Sequence, residues 1–368
     1  MAFKTKDEEI ICKDALYAAD SGTTAVKTSV TNSIIVPFAA AIKAPNDFIP
    51  LLTSVPPLLW SFIQLFSPDL LNIVKNRKTI IVCAALLDAI IWIPIMLIPF
   101  FWEGDYFLLL NLLIIQAMAL AFLNPFYNSY LADVIPQDKR SSLLGKINRI
   151  AGTASFIATI VCGVILSTLS KINPYIGFLI VFFIAFFSKI ISVAIKIRFK
   201  DVEPKFIQHE SFRKFSMNLN KNNFGKFALY VSLMRFATGI STPFIAVYLL
   251  HSLNVGYLMY SIIIAASIIS AILFFSKIAE YISRKGSRKI LKISGYLVSI
   301  VPLGWIIFSN PYILIITQFF SGLVWSSFNL SVSNFIMDST LPKNRLALNS
   351  YFNFFCGLFT FFGALSKM

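Results

Sequence analysis

The chain has 368 residues, of which 57% are hydrophobic and only 13% charged. A soluble domain has about 45–50% apolar and about 25% charged residues, so too few charges are present here to cover a water-facing surface. A formal net charge of +15 would ordinarily raise nucleic-acid binding. The basic stretches lack interleaved stacking aromatics and sit beside long apolar runs, which argues against it.

Taken in chain order, the opening stretch MAFKTKDEEIICKDALYAAD mixes both charges and has no apolar core, so it is not a cleavable signal peptide. Apolar runs near the length of a bilayer span, about 20 residues, are predicted over 16–42, 48–67, 79–102, 106–132, 142–169 and 174–198. The polar stretch DVEPKFIQHESFRKFSMNLNKNNFGKF follows, and five further spans are predicted over 227–250, 256–279, 290–309, 311–337 and 346–365. All are read as helices, because backbone groups in hydrocarbon have no water partners and no alternating barrel pattern is present. The expected fold is therefore an all-α polytopic membrane protein of about 11 transmembrane helices. Residues 1–200 form a first six-helix bundle, 201–226 a cytoplasmic linker, and 227–368 a second bundle of five.

Orientation follows from the loops. With the N-terminus in the cytosol, inward loops carry Lys75, Arg77, Lys78, Lys139, Arg140, Lys146 and Arg149, then eight cations from Lys196 to Lys226. Lys277, Arg284, Lys285, Arg288, Lys289, Lys292, Lys343 and Arg345 continue the same side, while the outward side has only Lys43, Lys171 and Lys367. That asymmetry is the positive-inside pattern. It predicts a multi-pass protein of the cytoplasmic membrane.

Two internal matches point to a duplication. DVIPQDKR (133–140) ends the fourth span and DSTLPKNR (338–345) the tenth. At an offset of 205 residues, Asn124 falls on Asn329, Asp133 on Asp338 and Arg140 on Arg345. NRKTIIV (76–82) opens span three and SRKILKI (287–293) opens span nine. Two similar membrane bundles can rock about a shared site and open it to each side in turn.

With AEYISRK (279–285) after span eight, these loops make the chain resemble the major facilitator superfamily of secondary transporters. AEYISRK is similar to the superfamily's G-x-L-A-D-R-x-G-R-K loop, with Glu280 for Asp and Arg284-Lys285 for the basic pair. NFIMDSTLPKNRLALNSYFNF and GKINRIAG look like a poorly characterised prokaryotic branch of it. The resemblance implies two pseudo-symmetric six-helix bundles with the twelfth helix missing here, through truncation, fragmentation or replacement by a partner. The first-half loop SPDLLNIVKNRK keeps the basic pair but lacks the Asp-Arg-x-Gly core, for which only Asp69 or Asn72 could stand in.

The resemblance also implies a cytosolic latch between bundles. Asp133 and Asp338 end helices whose dipoles are already negative there, so each needs a cation. Arg140 and Arg345 begin the next helices and can grip a carboxylate bidentately. Glu280 and Arg284 sit four apart on one helical face. The alternative is a set of solvated turns.

Charges within spans are costly, about 2.5–3.5 kcal/mol at mid-membrane. Asp88 and Lys189 fall at matching depths on outer support helices and are read as a structural ion pair, with snorkelling of Lys189 as the alternative. Asp20, Thr24, Lys27 and Thr31 form a polar stripe on span one, and Arg235 lies nine residues into span seven. Facing helices of this kind make a substrate site. Arg235 would hold an anionic group or pair with Asp20, whose protonation could couple transport to H+. The alternative places Asp20 below the bilayer and has Arg235 satisfy backbone carbonyls. Asn32, Gln116, Asn124, Trp325 and Asn329 are candidate wall residues, with interhelical hydrogen bonding as their ordinary role.

Cys12, Cys83, Cys162 and Cys356 are scattered without a C-x-x-C, so no metal or cofactor is expected. No phosphate loop is present for ATP-driven pumping, and no acid–base or nucleophile motif for an enzyme. The expectation is a monomeric secondary transporter of a small-molecule substrate in a lipid bilayer. The competing readings are a truncated non-transporting paralogue and, less favoured, a membrane enzyme.

Overall fold

The computed structural model describes residues 6–73, 76–102, 104–135, 137–199, 211–217, 219–341 and 344–366. The first bundle comprises α1 (Lys6–Ala41), α2 (Ile49–Gln64), α3 (Ser67–Ile73), α4 (Arg77–Ile90), α5 (Trp92–Phe101), α6 (Tyr106–Val134), α7 (Gln137–Leu169) and α8 (Pro174–Ile197). The short α9 (Phe212–Met217) leads into the second bundle. This consists of α10 (Asn223–Gly239), α11 (Phe244–Val247) with a π-helical turn Tyr248–Ser252, α12 (Tyr257–Lys285), α13 (Ser287–Ile307), α14 (Pro311–Ser339) and α15 (Arg345–Leu365). Among the described residues, nine helical segments are long and apolar enough to cross a membrane; α1 and α2 fall outside that set.

Three expected spans are each broken once, and proline explains every break. A proline ring clashes with the carbonyl four residues earlier. Pro68, Pro94 and Pro243 stand four residues after Gln64, Ile90 and Gly239, where α2, α4 and α10 stop. Helix starts are set by side-chain caps. Asp105 accepts from the N–H groups of Phe107 and Leu108, and Asn76, Asn173, Asn222 and Asn310 cap α4, α8, α10 and α14.

Packing reproduces the duplication. In the first bundle α1 packs on α7, α2 on α6 and α4 on α6; in the second α10 packs on α15, α12 on α14 and α13 on α14. The bundles meet along two lines, α7 against α12 and α2 against α15. Each line is marked by a glycine facing a serine, Gly163 on Ser261 and Gly357 on Ser61, where an added Cβ would collide. Small residues at such crossings let backbones approach closely. At the end opposite the basic loops, Tyr260 donates to the Ser33 carbonyl at 2.8 Å, and Tyr257 meets Phe178 edge-on.

Two boundaries differ from expectation. The helix expected from 227 starts at Asn223, where Asn222 can cap it. The 201–226 stretch is not wholly a linker, since Phe215 is buried and packs with Phe212 against Tyr351 and Phe355. Its aromatics belong to the second bundle's core. Residues 200–210 lie outside the described residues. α8 packs on α1, α4, α5 and α7, and has no counterpart among the described residues of the second bundle.

Candidate functional site

Charge in the first bundle is gathered inside it. Asp88 on α4 receives two lysines, Lys27 of α1 at 2.8 Å and Lys189 of α8 at 3.0 Å. All three side chains are at most 4% exposed, and Lys27 also lies 5.9 Å from the centre of the Trp92 ring. The pair expected of Asp88 and Lys189 is thus a triad. Lys27 belongs to it and not to a substrate wall.

Asp20 is engaged in the same manner. It is ion-paired with Lys196 of α8 and accepts from Ser192 at 2.6 Å, while Thr24 and Ser192 share a hydrogen bond at 3.2 Å. The expected Asp20–Arg235 pairing does not occur, and depth explains why. Asp20 lies 21 residues before the end of α1, roughly 32 Å along the axis, which puts it at the basic boundary beside the last turn of α8. The two sites share a spacing: Asp20 and Lys27 are seven apart on α1, and Lys189 and Lys196 seven apart on antiparallel α8. Two helical turns match two helical turns. That register is present in the sequence, where Lys196 reads as the first cation of the basic linker.

The stripe Asp20–Thr24–Lys27–Thr31 therefore faces α4 and α8, not the seam. A neighbouring stripe on α1 is open instead, with Thr28 and Asn32 exposed. On α6, Asn124 is exposed, whereas Gln116 is buried with its Nε2 lacking a partner. Burial removes Gln116 from the open wall.

Arg235 on α10 has neutral surroundings. Its guanidinium lies 5.3 Å from the centre of the Trp325 ring and donates to Asn329 Oδ1 at 3.0 Å, both partners on α14. Asn329 occupies the position that matches Asn124 in the first half, and both are exposed. Arg235, Trp325 and Asn329 are thus brought together, with Asn32 and Asn124 on the other bundle. Two half-open pockets elsewhere, about 480 Å³ between α10 and α13 and about 490 Å³ between α9 and α14, include none of these residues.

The loop charges contact their own bundle. Asp133 pairs with Arg77 at 2.8 Å, and Arg77 also donates to Ser129 at 2.8 Å. The side chain of Arg140 lies outside the described residues. In the second half Asp338 accepts from Ser287 at 2.9 Å, not from Arg345. Arg345 instead donates to Thr340 Oγ1 and to the carbonyls of Met337 and Thr340, at 3.2–3.3 Å. Those carbonyls are the unpaired acceptors at the α14 terminus, where a cation also opposes the helix dipole. Glu280 and Arg284 pair at 2.5 Å, both more than half exposed, within α12. Among the described residues, the expected second-half latch contacts between Asp338 and Arg345, and from Glu280 or Arg284 to the other bundle, are not made in this conformation.

The family model described as Major Facilitator Superfamily matches residues 22–364. Among solved structures, a mutant of nucleoside transporter NupG is similar at a TM-score of 0.73 and 16% identity, over 96% of this chain and 89% of that one. A bacterial homologue of iron transporter ferroportin in an inward-facing state scores 0.70 at 12% identity, over 96% and 91%. The human organic anion transporter TETRAN scores 0.66 at 11% identity, over 96% and 92%. Such identities carry the fold alone. Among curated proteins, none matches the chain.

Proposed function

The chain belongs to the Major Facilitator Superfamily, and from that premise we propose that this multi-pass membrane transporter moves a small solute through the seam between its bundles by alternating access. The observation that carries the reading is Arg235, held on Trp325 and Asn329 with Asn32 and Asn124 exposed on the opposing bundle. A cation within a span is expensive unless it serves a path or a partner. The contact of Tyr260 with Ser33 closes the end away from the basic loops, and rocking about the Gly–Ser crossings would exchange which end is closed.

The cation-rich face is cytosolic in this proposal, with the protein in the cytoplasmic membrane and working as a single chain. The acidic loop ends, Asp133 and Asp338, form part of a latch made only when that face closes. Proton coupling through Asp20 is no part of the proposal, because Lys196 and Ser192 hold that carboxylate inside the first bundle.

Counterflow in proteoliposomes tests this. A solute panel should include one that exchanges through wild type and falls by about tenfold or more in Arg235→Ala, the loss expected for one charge-assisted contact. Equal exchange by empty and loaded vesicles across the panel counts against transport.

A further inference from the structure

We propose that Arg235 seats a single oxyanionic group, carboxylate or phosphate, borne by the carried solute, and that the remainder of that solute is neutral and polar. The inference rests on the transporter reading above and adds the substrate's chemical class.

A charge inventory leads to it. Lys27 and Lys189 lie against Asp88, Lys196 against Asp20, and Arg77 against Asp133. Arg235 sits 12 residues into α10, roughly 18 Å from its start. Among the described residues it has no carboxylate within ion-pair reach. Its partners are an aromatic face and an amide oxygen. Both orient a guanidinium without neutralising it. Stacking on Trp325 fixes the plane, and the Asn329 carbonyl holds one corner of it. The rest of the donor edge is left for a partner, and a planar fork of N–H donors fits a carboxylate or phosphate bidentately.

The facing surfaces of α1 and α6 add no second charge to the seat. The described exposed polar side chains that the first bundle offers on α1 and α6 are Thr28, Asn32, Asn111, Asn124 and Asn128. They can donate and accept hydrogen bonds but carry no charge. A second anionic group would have no cation there, and an ammonium would meet Arg235 itself.

The test uses the full chain, purified and reconstituted in nanodiscs, at ionic strength fixed with chloride. Acetate, benzoate and phenyl phosphate are titrated beside acetamide, benzamide, phenol and benzylamine, and the midpoint of thermal unfolding is followed. A ligand that binds only the folded state raises that midpoint as its concentration grows. At least one oxyanion should stabilise wild type while its uncharged analogue does not. The concentration needed should rise by about tenfold or more in Arg235→Gln, which can keep the Asn329 contact. If Arg235→Gln does not fold, Arg235→Lys serves, since it keeps the charge but loses the fork and the stack; a seat for an uncharged solute would be unmoved by that change.

A panel that leaves wild type and both variants indistinguishable overturns the proposal, as does preference for the neutral or cationic members. Counterflow separates the two readings. Oxyanion binding without exchange would retain the seat and reject transport. Exchange of a neutral solute, unchanged in Arg235→Gln, would retain transport and reject the seat.

Discussion

The two bundles share a plan but treat charge in opposite ways. In the first, Lys27, Lys189 and Lys196 are shut inside and set against Asp88 and Asp20. In the second, the matching interior is aromatic, with Phe227 stacked on Phe335 and Phe352, and Phe328 against Trp325. The one deep charge described above for that half, Arg235, lies against the Trp325 ring and the Asn329 amide oxygen. Duplicated topology has thus diverged into a half whose three buried lysines lie against two carboxylates and a half whose cation lies against none among the described residues.

The sharpest way to break that comparison is to unbalance the first bundle. Asp88 is the shared anion of two lysines and is fully buried. Asp88→Asn leaves both cations without a counter-charge, and losing one partner of a buried pair costs about 3–5 kcal/mol. The expected result is a collapse in yield of folded protein and a large drop in its thermal midpoint. Lys189→Met should be far milder, because Lys27 still neutralises Asp88. If the two variants prove equally harmful, the lysine pair acts as a unit and the neutralisation argument is wrong.

A smaller difference is expected between the two loop acids. Asp133 ion-pairs with Arg77, whose side chain is fully buried, whereas Asp338 accepts only from Ser287 among the contacts described above. Asp133→Asn removes a charge-assisted bond and should cost about 1.5–3 kcal/mol; Asp338→Asn can keep its serine contact and should cost about 1 kcal/mol or less. Thermal midpoints of both variants in one detergent decide this. Equal losses would mean that the second-half acid has charge partners comparable to Arg77.

Much of the architecture was legible because apolar run length, loop charge and the repeated Asp-to-Arg turns each constrain it separately. The spans, the duplication and the pairing of Asn124 with Asn329 follow from those signals. The rotation of α1 was not legible, and the reason is specific. Its sequence carries two polar stripes, Asp20–Thr24–Lys27–Thr31 and the adjacent Thr28–Asn32, and periodicity cannot say which one faces the seam. What decides is partner availability: Asp88, Lys189 and Lys196 sit on α4 and α8, so the charged stripe turns inward. Arg235, Trp325 and Asn329 meet one another across α10 and α14. In the second half Asp338 bonds Ser287 and not its sequence-local Arg345, and a cation that reaches Asp133 comes from 56 residues earlier, Arg77.

The smallest expected effect bears on the paired charges of α12. Glu280 and Arg284 are joined at 2.5 Å, yet their side chains are 58% and 71% exposed. Water competes for both groups, and an i,i+4 pair on a helix surface is worth about 0.3–0.5 kcal/mol. Glu280→Gln should therefore leave the thermal midpoint within error. Transport is a different matter if these side chains meet the first bundle when the basic face closes. The variant should then shift which face admits a thiol reagent to a cysteine placed at Thr28, while leaving stability alone. Unchanged labelling from both faces would make the pair an ordinary solvated feature of α12 and confine the latch to the loop acids.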